Sequence, residues 1–157
     1  MKALVAYFSA SGTTGRAARA LAEAIGADLY EIVPETPYTA ADLDWKNDQS
    51  RTSIEMRDDS ARPAIAEAVA DMDAYDTVFV GFPVWWYVEP RIVDTFLESY
   101  DFSGKTLVPF ATSGGSGLGK APERMAEIAA GAKVDQGKML NGDLDEDGIR
   151  AWAKGIA

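Results

Sequence analysis

The sequence predicts a three-layer α/β domain, a doubly wound parallel sheet covered by helices on both faces. Strand-like and helix-like stretches alternate along the chain, giving a βα unit repeated five times. Three of the strands are near-continuous apolar runs, as expected where helices cover both sides of a sheet. Each helix carries one apolar stripe spaced i, i+3, i+4 and i+7. The 157 residues, 47% of them hydrophobic, suit one domain over residues 1–157 with a sizeable core.

The elements follow in order. Residues 2–8 form the first strand, around Ala3-Leu4-Val5-Ala6-Tyr7-Phe8. The turn Ser9-Ala10-Ser11-Gly12-Thr13-Thr14-Gly15 leads into a helix opening near Thr14. Its stripe is Ala18, Leu21, Ala22 and Ile25, and Gly26 stops it. After a strand at residues 28–33, the second helix is expected around Ile65, Ala68, Val69 and Met72, with Pro63 near its first turn. The third strand covers residues 77–82, and the helix behind Pro90 uses Val93, Phe96, Leu97 and Tyr100. The fourth strand, residues 106–112, precedes a helix that begins at Pro122 and carries Met125, Ile128 and Ala129. A weak fifth strand is expected at residues 134–140. The last helix has Ile149, Trp152, Ala153 and Ile156, and Asp145, Glu146 and Asp147 favour its positive N-terminal end.

In such a sheet the loops leaving the carboxyl ends of the strands share one edge, and ligands bind there. Three informative loops leave those ends, at residues 9–15, 83–89 and 112–120. The first sets four hydroxyls and two glycines where a helix presents its unpaired N–H groups, a cup for phosphate. Without lysine it suits a monoester phosphate better than a triphosphate with magnesium. The competing explanation is a Ser/Thr-rich helix cap. The second loop is Pro83-Val84-Trp85-Trp86-Tyr87. Adjacent side chains on extended backbone point opposite ways, so at least one indole lines the ligand edge or the surface. An aromatic wall of this kind stacks on a flat conjugated ring, although ordinary packing or a protein contact would also use it. The third loop, Thr112-Ser113-Gly114-Gly115-Ser116-Gly117-Leu118-Gly119, allows close backbone approach to a ring edge, but alone it reads as a flexible turn.

Residues 34–60 are too long for an ordinary connection and contain Tyr38, Trp45, Lys46, Asn47, Asp48 and Arg51. They leave the same edge, and two readings stay open: a segment folded over the crevice, or a solvated excursion with one short helix.

With 25 acidic and 15 basic residues the net charge is −10, which argues against nucleic acid and anionic membranes as partners. The same balance suits transient docking on a basic protein, and equally an acidic protein that has no such partner. The chain has neither cysteine nor histidine, which removes disulfides, thiol nucleophiles, histidine bases and nearly every zinc or copper site. Redox or other demanding chemistry would therefore come from a cofactor, and no metal site is expected. Met1-Lys2 runs directly into the first strand and no apolar run approaches a membrane span, so a cytoplasmic protein is expected. Gly114 through Lys120 matches GxxxxGK, but Ala121 stands where a P-loop needs Ser or Thr. Asp143, Asp145, Asp147 and Gly148 imitate a calcium loop, but its twelfth position is Lys154. A phospho-receiver needs an aspartate where Phe82-Pro83 ends the third strand.

Taken together, the three loops resemble those of flavodoxins. The first is similar to that family's Ser/Thr-x-Ser/Thr-Gly-x-Thr phosphate loop, through Ser9, Ser11, Gly12 and Thr14. Gly81-Phe82-Pro83-Val84-Trp85-Trp86, with the stretch from Phe96 through Gly119, looks like a bacterial flavodoxin-like branch. In that branch a Pro-x-Trp-Trp segment and a Thr-Ser-Gly-Gly-Ser-Gly segment flank the isoalloxazine ring. The resemblance implies a five-stranded sheet in the order 2-1-3-4-5 and FMN bound noncovalently. Ser9, Ser11, Gly12, Thr13 and Thr14 would hold the phosphate. Pro83, Val84, Trp85, Trp86 and Tyr87 would border the ring, and Thr112, Ser113, Gly114, Gly115, Ser116 and Gly117 would bond its edge. Many electron-carrying flavodoxins place a small residue, often glycine, beside flavin N5, whereas Trp85-Trp86-Tyr87-Val88 offers no glycine and is bulky throughout. The expected function is electron transfer between redox proteins by a monomer or weak dimer, with no catalytic side chain. The alternatives are an FMN-dependent NAD(P)H:quinone-type oxidoreductase and a binding module that retains the fold without flavin.

Overall fold

The computed structural model describes residues 2–10, 12–113, 117–141 and 145–156. Successive side chains on a strand point to opposite faces, and the three central strands use this to build two cores. In β1 (Ala3–Tyr7), Leu4 and Ala6 enter one core and Val5 and Tyr7 the other. After α1 (Thr13–Ile25), β2 (Asp28–Glu31) pairs with the outer edge of β1. A short helix α2 (Arg51–Arg57) follows within the long connection. In β3 (Thr77–Pro83), Val78, Val80 and Phe82 lie on the first face and Phe79 on the second. Next come α3 (Arg91–Glu98), β4 (Thr106–Thr112), α4 (Ala121–Ile128), the short strands β5 (Lys133–Val134) and β6 (Lys138–Met139), and α5 (Glu146–Lys154).

All pairings in the sheet are parallel and the order is β2-β1-β3-β4-β5, with β6 also on β4. Phe96, Leu97 and Met125 of α3 and α4 fill the first core. Leu21, Ile149 and Ala153 of α1 and α5 fill the second. This is the doubly wound flavodoxin-like fold, with the 2-1-3-4-5 order. Ser9, Pro83 and Thr112 all lie at the carboxyl end of the three central strands.

Two elements differ from expectation. The stretch with Ile65, Ala68 and Val69 is not a helix. Its backbone runs antiparallel to residues 33–35 through Glu35 N–H to Ala64 O (2.8 Å) and Ala66 N–H to Val33 O (2.8 Å). The Tyr100 hydroxyl takes the Val69 N–H at 2.8 Å. Ile65 and Val69 still pack on the core, so the apolar residues are satisfied without a helical stripe. Only Met72–Ala74 turns, as a single 3₁₀ turn, and the helix of this region is α2, behind its Ser50 cap. The fifth strand is broken into β5 and β6. Asp135 donates to Leu107 O (2.9 Å) and Leu140 to Ala111 O (2.8 Å), so Pro109, between them in β4, faces the same neighbour without an N–H. Gly137 crosses that gap, where a Cβ would lie 2.2 Å from Pro109 O.

Candidate functional site

The first loop closes on itself at the head of α1. The Ser9 hydroxyl accepts from Gly12 N–H (3.0 Å) and Gly15 N–H (3.2 Å), with Gly12 left-handed at φ +91°. Thr13 is exposed, whereas Thr14 is buried and its hydroxyl pairs with that of Thr112 at 2.8 Å. That bond ties the head of α1 to the end of β4, so the first and third loops share an anchor.

At the second loop, Val84 N–H donates to Thr112 O (3.0 Å), extending the ladder one residue past Pro83. Trp85 and Val88 then exchange both backbone hydrogen bonds, at 3.0 and 3.1 Å. Between them Trp86 and Tyr87 stand at φ +48° and +66°, the two-residue hairpin geometry that ordinarily selects Asn-Gly. Bulky residues in this region cost about 1–3 kcal/mol each and persist only where the surroundings hold them. Lys120 N–H holds Tyr87 O at 3.1 Å. Gly119 must be glycine there, because it is at φ +59° and a Cβ would come within 2.1 Å of Tyr87 O. Trp85 turns inward, edge-on to Phe8 (5.6 Å) and Tyr38 (5.7 Å). Trp86 and Tyr87 remain 46% and 69% exposed. The two indoles thus take different environments, Trp85 on the strand side of the hairpin and Trp86 in its left-handed turn.

The 34–60 segment folds back over this hairpin. The Tyr38 hydroxyl donates to Glu55 Oε1 (2.5 Å), and the Arg51 guanidinium lies 3.8 Å from the Tyr38 ring centre while bonding Glu55 (2.9 Å). Burial, then the bond to Glu55, drives the Tyr38 pKa well above its usual value, so it stays a neutral donor. Thr52 ties α2 to Asp42 O through both its hydroxyl (2.9 Å) and its N–H (3.1 Å). Leu43, Trp45 and Thr52 are thereby set across from Val84, Trp85, Trp86, Tyr87 and Ser113, around a cavity of about 400 Å³.

Of the anticipated site residues, Val84, Trp85, Trp86, Tyr87 and Ser113 line this cavity. Pro83 and Thr112 pair beneath it, and Ser9, Gly12, Thr13 and Thr14 form the neighbouring loop. Gly117 is exposed outside the lining. Ser11, Gly114, Gly115 and Ser116 lie outside the described residues, as does Asp143. Leu43 and Thr52 were not singled out by their own types; only the length and aromatic content of the segment pointed to them.

Directly after the hairpin lies a buried ionic cluster with no signal in the sequence. Glu89 and Asp94 are fully buried and Arg91 nearly so. Arg124 bridges Glu89 (2.8 Å) and Asp94 (3.3 Å), and Arg91 reaches Asp94 (3.6 Å) and Asp59 (3.0 Å). Burial, reinforced by the charge of Asp94 and opposed by Arg124, pushes the Glu89 pKa up to about 7. Burial also raises that of Asp94. Among the described residues no group of acidic side chains could hold a metal ion, and no helix is long and apolar enough to cross a membrane.

A helix head closed by the Ser9 hydroxyl and an aromatic-walled cavity meet at the carboxyl edge of a parallel sheet, the candidate site of a protein of the doubly wound α/β class. A family model described as Flavodoxin matches residues 2–156, and the chain belongs to that family. It is 50% identical to a protein of Bacteroides eggerthii DSM 20697 assigned as a flavoprotein, over 99% of this chain and 97% of that one, with a TM-score of 0.94. A similarly assigned protein of Bacteroides uniformis ATCC 8492 is 48% identical over 98% and 97% of the two chains, with a TM-score of 0.92. A flavoprotein of Lactobacillus acidophilus NCFM, crystallised in complex with FMN, shares the fold at 24% identity, with a TM-score of 0.74 over 97% and 98%. No curated protein matches the chain.

Proposed function

We propose that this protein binds FMN noncovalently and carries electrons between redox partners. The observation that carries the proposal is the meeting of the aromatic-walled cavity with the capped helix head, joined by the Thr14–Thr112 hydrogen bond. Family membership supports it, as does the shared fold of the Lactobacillus acidophilus flavoprotein crystallised with FMN. The residues present fit the group. The small hydroxyl and glycine residues at the head of α1 are of a type suited to a phosphate monoester, and a cavity of about 400 Å³ with indole walls suits a flat conjugated ring.

FMN, when bound, supplies the electron-accepting and electron-donating chemistry that no side chain here can perform. The chain's own task is to hold and surround it. Gly12, Thr13 and Ser9 would receive the phosphate, Trp85, Trp86 and Tyr87 would border the ring, and Ser113 would meet its edge. Leu43 and Trp45 would keep water from the opposite side. The net charge of −10 favours a partner with a basic docking surface and disfavours an anionic reduced cofactor.

The test is titration of the purified protein with FMN, followed by quenching of flavin fluorescence. Stoichiometric quenching is expected, and its absence overturns the proposal. Reduction of the complex only through a separate reductase supports the carrier role. Direct, stoichiometric oxidation of NAD(P)H would instead select an FMN-dependent oxidoreductase, a reading favoured by the exposure of Trp86 and Tyr87 at the cavity mouth.

A further inference from the structure

A second cavity, of about 220 Å³, adjoins the first and is lined by Trp45, Asp48, Ser53, Met56, Arg57 and Trp86. Trp45 and Trp86 line both cavities, so the two compartments share an indole wall. We infer that this second compartment is a subsite for a small planar aromatic anion, such as a one- or two-ring aromatic carboxylate, held beside the flavin place.

Three observations carry the inference. The first is the wall itself. Trp45 is 65% exposed and Trp86 46% exposed, so both indoles keep uncovered surface at one mouth. Uncovered indole surface is recovered best by another flat ring, through offset or edge-to-face contact. Met56 adds a polarizable thioether, which also prefers aromatic neighbours.

The second is the charge. Arg57 lines the compartment and is braced by the bond from its Nη2 to Asp48 O at 2.8 Å. Lys46 lies over the Trp45 ring, 5.4 Å from its centre. Among the lining residues the Arg57 guanidinium stands with one carboxylate, Asp48, and Lys46 adds positive charge at the Trp45 edge, inside a chain whose net charge is −10. A braced guanidinium is well suited to a carboxylate or phenolate oxygen, which it can meet with two parallel N–H groups. Ser53 adds a hydroxyl at the same wall; it already accepts from Ser50 at 2.9 Å, which leaves its own proton to donate.

The third is size. Pockets for drug-sized ligands ordinarily measure roughly 300–1,000 Å³. A compartment of about 220 Å³ falls below that range and has room for one substituted ring or two fused rings. α2, which supplies Ser53, Met56 and Arg57, is anchored by its Ser50 cap and by Thr52, so the compartment is built on fixed elements.

The inference rests on the FMN proposal only for what fills the larger cavity. It is tested with 2-naphthoate as the probe, by calorimetry and by saturation-transfer NMR, on the protein with and without FMN. Cyclohexanecarboxylate serves as the non-planar control. We expect naphthoate to bind both forms at least tenfold more tightly than the control. Arg57→Gln should weaken naphthoate tenfold or more while leaving FMN affinity unchanged, because Arg57 does not line the larger cavity. Trp45→Leu, in protein whose near-ultraviolet dichroism shows intact packing, should weaken naphthoate similarly. Equal binding of the two acids, no effect of Arg57→Gln, or displacement of naphthoate by FMN would each overturn the inference. Naphthoate binding without FMN uptake would overturn the flavin proposal and leave the subsite standing.

Discussion

Trp86 and Tyr87 occupy backbone conformations that cost a bulky residue free energy, in a turn where asparagine and glycine would relax at once. Their side chains are only partly covered, Trp86 by about half and Tyr87 by less, so packing offsets only part of that cost. The strain makes sense if the two aromatic groups are placed for a ligand. The double substitution Trp86→Asn with Tyr87→Gly should therefore raise unfolding stability by about 1–3 kcal/mol in the absence of FMN. The same protein should bind FMN at least tenfold more weakly. Urea denaturation and flavin titration measure the two effects. A variant that loses stability would show that the hairpin is held by contacts of these side chains, and the strain argument would fail. Sequence alone could place these aromatics at the rim, from their position after an apolar strand. It could not assign them a left-handed backbone, because nothing in Trp-Tyr signals a turn that normally requires glycine.

Among the elements, the sheet and four of its helices were legible because buried parallel strands and amphipathic helices leave dense periodic patterns in β1, β3, β4, α1, α3, α4 and α5. The failures lie where local pattern competes with long-range pairing. Ile65, Ala68 and Val69 have helical spacing, yet their backbone bonds go to residues 33–35 and to Tyr100. Pro109 breaks a neighbouring strand about 25 positions away in sequence, which no local window reveals. The folded-back segment was visible only as excess length. Its hold on the cavity now rests on a few polar ties, chiefly Tyr38 with Glu55 and Arg51. Tyr38→Phe keeps the ring contacts with Phe8 and Trp85 but removes a hydrogen bond to a carboxylate, worth about 1.5–3 kcal/mol. Local opening should then expose the segment without unfolding the sheet. Amide exchange at Thr52 and Ile54 should accelerate roughly tenfold or more, while Val80 in β3 stays protected. Equal acceleration at all three amides would mean that the segment and the sheet unfold as one unit.

Across the whole molecule, the Glu89 cluster joins parts distant in sequence: the hairpin's exit, α3, the residues after α2, and Arg124 of α4. Four arms meet around two buried carboxylates, so their protonation is felt by the fold as a unit. Glu89 has its pKa raised from the ordinary 4.5 to about 7 by burial and by Asp94, against Arg124; Arg91, Arg62 and Asp59 complete the cluster through Asp94 and Arg124. A raised carboxyl pKa means that the folded state holds a proton which the unfolded state has released between those two values. Stability therefore falls as pH rises, with the contribution fully present below about 4.5 and lost through about 7. The raised pKa of Asp94 acts in the same direction. The Glu89 shift corresponds to on the order of 3 kcal/mol across the window. Growing negative charge repels in the same sense, since the chain already carries −10 at neutrality. The two contributions separate by salt, because exposed charges are screened over about 8 Å at physiological ionic strength and buried ones much less. Urea unfolding measured from pH 5 to pH 7.5 in high salt should still show a downward slope for the natural sequence. Glu89→Gln keeps the hydrogen-bonding shape and removes the titration, and its slope in high salt should be flatter by most of that amount. Parallel slopes for the two proteins would assign the pH dependence to surface charge instead. A rising slope would mean that the Arg124 pair outweighs burial and that Glu89 is ionised in the folded protein throughout.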